Sequence, residues 1–104
     1  MDQLKTAKMS HVERSDGKSG GATRKELTER DTLVISKGTT TGLKLFGIVF
    51  GEGIKISWNG KNYLAESTLS FPSMKVNGTK ESTCRLKNVD LIEVGSNRFK
   101  FVTE

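Results

Sequence analysis

The sequence is poor in the residues from which enzymes and metal centres are assembled. It has one cysteine, Cys84, and one histidine, His11. A single thiol excludes an internal disulfide framework, and with one imidazole it cannot complete a zinc site. No histidine lies after Asp31, so no Ser-His or Cys-His pair can form in that stretch. Cys84 stands beside Arg85 and Lys87, which would lower a thiol's pKa, but a half-buried structural thiol is the simpler expectation. Gly17-Lys18-Ser19 ends like a phosphate-binding loop, yet Val12 occupies the position of that loop's first glycine. We therefore expect no catalytic residues, no metal and no cofactor.

Long apolar runs are also missing. None approaches a membrane span, and the opening Met1-Asp2-Gln3-Leu4-Lys5 lacks the apolar stretch of a secretory signal. The expectation is a soluble, intracellular chain, nuclear if eukaryotic and otherwise cytoplasmic. The apolar residues are unevenly spread, with 7 in residues 1–30 and 28 in residues 31–104. This contrast predicts a flexible polar arm over 1–30 and one β-rich binding domain over 31–104. Within the arm, Thr23 to Arg30 could form two helical turns capped by Thr23.

What the sequence does contain is strand and turn punctuation. Leu33-Val34-Ile35, Leu43 to Phe50 and Ile54 to Trp58 read as strands. Asn59-Gly60 is a hairpin turn, because both of its positions favour φ > 0. Lys61 to Ala65 returns, and Leu86 to Val94 and Arg98 to Val102 close the chain. Ser67 to Phe71 reads either as extended or as a short helix halted by Pro72. The fold class is mainly β: a small twisted antiparallel sheet or partly open barrel of about six strands, with one possible short helix. Phe46, Phe50, Phe99 and Phe101 are expected in the core. Trp58 belongs there too, or else serves as a stacking or interface anchor.

The net charge is +5, from 17 Lys and Arg against 12 Asp and Glu. A surplus of this size favours anionic partners. The run Met74 to Asn88, where cations alternate with small hydrogen-bonding residues, reads as a flexible basic loop beside the hairpin. Lys61, Lys75, Lys80, Arg85 and Lys87 are the candidate phosphate contacts, with Asn62 and Ser67 as hydrogen-bonding neighbours.

The segment Leu45 to Phe71 resembles the centre of RAMA domains. The shared pattern is a strand ending in an apolar-Gly pair, an apolar-Lys-apolar-x-Trp strand (Ile54 to Trp58), a Gly turn, Tyr63, and the corner Ser67 to Phe71. SAND-type chromatin domains are a second resemblance, through their spread of glycines and aromatics. Both imply a partner that is nucleic acid, DNA favoured, or chromatin. The competing expectation is a protein-interaction module or small regulator within a larger complex, using an edge strand or a Trp58-centred patch.

Overall fold

Alternation of burial along the strands shapes the protein. In a computed structural model, which describes residues 9–18 and 21–103, eleven strands and no helix are found among the described residues. They are β1 (Ser10–Arg14), β2 (Arg24–Leu27), β3 (Thr32–Ser36), β4 (Leu43–Lys44), β5 (Phe50–Trp58), β6 (Tyr63–Phe71), β7 (Met74–Val76), β8 (Thr79–Lys80), β9 (Thr83–Leu86), β10 (Asp90–Val94) and β11 (Asn97–Thr103). Two sheets result. One runs β2-β1-β11-β10-β7-β8, and the other runs β4-β3-β5-β6-β9. Every pair is antiparallel except β3 with β4.

The inward faces meet in a core of Val12, Leu27, Ile35, Leu43, Ile54, Ile56, Met74, Ile92, Val94, Phe99 and Phe101, each at most 1% exposed. Burying a side chain of this size contributes about 1.5–3 kcal/mol relative to leaving it in water. An aromatic series links the sheets: Trp58 meets Tyr63 edge-on at 5.0 Å, and Tyr63 meets Phe101 at 5.4 Å. Trp58 is partly buried and packs against the core.

The mainly β expectation holds, in the form of two packed sheets. The boundary at Asp31 does not mark where the sheets begin. β1 and β2 lie within the stretch read as an arm, and their Val12 and Leu27 are core residues. The helix considered over Thr23 to Arg30 is instead β2 and a turn, because pairing with β1 carries Leu27 into the core. Ser67 to Phe71 is extended, continuing β6. Leu43 to Phe50 is strand at Leu43–Lys44 and again from Phe50, with a loop at 45–49. The strand expected over Leu86 to Val94 is broken at 87–89, where Lys87 N and Asp90 N complete a turn through Asp90 Oδ2 and Lys87 O. The basic run Met74 to Asn88 is three short strands rather than a mobile loop.

No helix among the described residues is long and apolar enough to cross a membrane.

Candidate functional site

Several connections converge at one end of the sandwich. The end of β1, the turn 37–42, the loop 45–49, the β6–β7 link 72–73 and the β10–β11 turn 95–96 all lie there. A buried polar cluster binds them to one another. Asn97 is 0% exposed. Its Oδ1 accepts from Phe46 N at 2.9 Å, and its Nδ2 donates to Phe46 O and Val94 O, each at 2.9 Å. These bonds hold the 45–49 loop against the β10–β11 turn.

Arg14 completes the cluster. Its Nη1 pairs with Asp16 Oδ2 at 2.8 Å, its Nη2 donates to Lys44 O, and its guanidinium lies 5.0 Å from the Phe46 ring and 4.7 Å from the Phe99 ring. Both partners of the ion pair are nearly enclosed, at 2% and 6% side-chain exposure. Asp16 also accepts from Lys18 N and Arg98 N. Burial opposes ionisation of Asp16 and is the largest single influence. The two backbone donors and Arg14 together outweigh it and hold the carboxyl below its usual range. A depressed folded pKa supplies stability above the unfolded value, near about 4, and loses it as pH falls through the folded value. Urea titrations should therefore show the advantage of wild type over Asp16→Asn shrinking below about pH 4. A gap independent of pH would contradict this assignment. Glu13 titrates low as well, first through its hydrogen bond to His11, and is common to both proteins.

On this braced end the chain exposes apolar groups. Ile48, Phe50 and Phe71 are the most exposed large apolar side chains described, at 72%, 59% and 59%. Phe50 and Phe71 are register partners, so they share a face. They end a ribbon in which β5 and β6 outrun their neighbours. The β3 register stops at Ile54, and the β9 register stops at Glu66. Glycine makes the ribbon possible. A Cβ on Gly51 would lie 2.7 Å from Leu69 Cα, and one on Gly53 would lie 2.4 Å from Ile35 O, both with positive φ. Such an apolar group left in water on a rigid frame marks a contact surface. Phe50 therefore lies outside the core in which the sequence places it, and Phe46 is half-buried beneath Arg14.

The residues nominated from sequence fall in separate groups, of which only Lys75 and Lys80 adjoin the exposed apolar face. Lys61 and Asn62 are in the β5–β6 turn at the opposite end, their amides bound by Asn59 Oδ1. Asn62, Arg85 and Lys87 line a cleft of about 470 Å³ shared with Glu81 and Cys84. Ser67 lies within β6 and accepts from Leu69 N. Lys75 and Lys80 are on the other sheet, beside Glu93. Trp58 is held by Tyr63 and the core rather than free to stack. Burial raises the Cys84 thiol pKa, helped by Glu81 and Asp90, against the weaker pull of Lys87 and Arg85. It is not an activated nucleophile.

Comparison with solved structures decides the fold. The FHA domain of CT664 from Chlamydia trachomatis superposes with a TM-score of 0.73 at 20% identity, over 90% of this chain and 96% of that one. The fold is that of an FHA domain. A structure from a study of phosphothreonine-dependent FHA domain interactions gives 0.72 at 19% identity, over 92% and 97%. The FhaA FHA domain, solved with the intracellular domain of Rv3910, gives 0.66 at 19% identity, over 88% and 98%. No protein-family model matches the sequence, and no curated protein matches it.

The FHA fold corrects the RAMA and SAND resemblances. The segment that carried them is the β5–β6 hairpin, whose strand and turn signals serve many β folds. It also overturns the expected nucleic-acid or chromatin partner, because the matching FHA structures are described by phosphothreonine and protein partners. Charge placement agrees, because the nominated cations are divided between the two sheets and form no single surface: Lys75 and Lys80 are on one, Arg85 on the other.

Proposed function

We propose that the protein is a non-catalytic protein-interaction module that docks a phosphothreonine-bearing segment of a partner on the loop end of its FHA fold. The exposed group Ile48, Phe50 and Phe71, at the end of the sandwich where Arg14 and Asn97 fix the 45–49 loop, carries this reading. At the same end Lys37 and the hydroxyls of Thr40 and Thr41 are exposed and provide a cation and donors suited to a phosphate. The solved FHA neighbours support a protein partner. The absence of histidine after Asp31 supports a binding role over catalysis. A single cysteine suits a reducing, intracellular setting.

The test is a peptide array displayed in phosphothreonine and threonine versions. It is probed with wild type and with Phe50→Ser/Phe71→Ser. Wild type should retain phosphothreonine peptides preferentially. The double variant should lose at least about thirtyfold in Kd, equivalent to one anchor of about 2 kcal/mol. It should keep its unfolding midpoint, since both side chains are exposed. Equal retention of both versions removes the phosphate requirement. Retention unaffected by the double variant removes the docking face.

A further inference from the structure

Lys75 and Lys80 sit directly opposite each other across the β7–β8 ladder. Like charges in that position destabilise a strand pair. Glu93, the other cross-strand neighbour of Lys75, is bound to Arg98 at 3.2 Å. Neither Lys75 nor Lys80 forms an ion pair within the described residues. Two exposed cations are thus held together at a cost, with their nearest acid engaged elsewhere. They line a cleft of about 370 Å³ whose other walls include Phe71, Pro72 and Ser73. Phe71 lines this cleft and is also one of the exposed apolar residues of the proposed docking face, so the two adjoin.

We infer that the cleft is a subsite for acidic residues of the docked segment, with aspartate or glutamate carboxylates between Lys75 and Lys80 and an adjoining apolar side chain on Phe71. This rests on the docking reading and adds a sequence preference to it. A protein carboxylate fits better than a second phosphate. Glu93 also lines the cleft and repels a dianion more than a monoanion. Lysines are mobile point charges without the fixed fork that orients phosphate oxygens.

Synthetic peptides would test this, each made with and without phosphothreonine and differing only in a Glu-Glu, Ser-Ser or Lys-Lys pair beside it. Wild type should bind the Glu-Glu peptide about tenfold more tightly than the Ser-Ser peptide at low salt, the preference weakening as salt rises. Lys75→Ser/Lys80→Ser should bind both equally while keeping its dependence on Phe50 and Phe71. Lys75→Glu/Lys80→Glu should prefer the Lys-Lys peptide. The single Lys80→Glu should raise Tm by relieving the repulsion with Lys75, an outcome opposite to that for a lysine kept for stability. A Glu-Glu preference that survives both double variants, or its absence in wild type, overturns the subsite and leaves the docking face intact. Failure of every peptide to bind overturns both.

Discussion

Arg14→Ala should lose about 3–5 kcal/mol of stability, the typical cost of removing one member of a buried ion pair. The loss would be carried by what remains. Asp16 would keep its backbone donors but be a nearly enclosed carboxylate without its counter-charge, and Lys44 O would lose its donor. The Phe46 and Phe99 rings would also lose the cation between them. Against about 5–15 kcal/mol for a domain of this size, the variant would approach unfolding at ordinary temperatures. Arg14→Lys should recover less than half of the loss. One ammonium cannot reach Asp16, Asn97 and Lys44 O as the planar guanidinium does. Urea unfolding at neutral pH measures this. A loss under about 1 kcal/mol for the alanine variant would give Arg14 the standing of an ordinary surface pair.

Asn97→Ala should cost about 3–4 kcal/mol and disturb the docking face at the same time. The amide satisfies the Phe46 N–H and C=O together with Val94 O, in a site closed to solvent. Each buried group left unpaired costs about 1–3 kcal/mol. Partial relaxation, with water reaching the loop, keeps the total below the full sum. Relaxation also means that residues 45–49 lose their fixed course, and Ile48 with them. Amide hydrogen exchange at Phe46 should accelerate sharply, and peptide affinity should fall although Asn97 itself is enclosed. Unchanged protection at Phe46 would show that the loop is held by something other than this side chain.

These two residues also show where sequence reasoning stops. The β5–β6 hairpin was legible because Asn59-Gly60 marks its turn and Ile54-Lys55-Ile56 encodes its faces, although the turn spans residues 59–62 and, of the pair, only Gly60 takes a positive φ. β10 and β11 were legible for the same reason, as alternating strands around a glycine turn. β1 was not. Its inward positions are Ser10, Val12 and Arg14, and an arginine counts as core only once Asp16 and two aromatic rings are known to enclose it. β2 likewise sends one large apolar residue inward, Leu27. Phe50 misled in the opposite direction. As an aromatic in a strand it was expected in the core, but β5 and β6 run on past β3 and β9, and strand length relative to neighbours is a property of the tertiary structure. The signal that could have revealed the exposed face was local: Gly47, Gly51, Gly53 and Pro72 crowd around Ile48, Phe50 and Phe71, marking chain that turns and bends where it meets solvent.

The register of β1 with β11 sets Ser10 beside Thr103, at the end remote from Ile48, Phe50 and Phe71. Entry to and exit from the sandwich thus share one doorway. A unit with that geometry can be spliced into a surface turn of a host protein, or joined head to tail and reopened at Asn59-Gly60. In either arrangement the end that carries Ile48, Phe50 and Phe71 would face outward, like a plug whose cord leaves from the back.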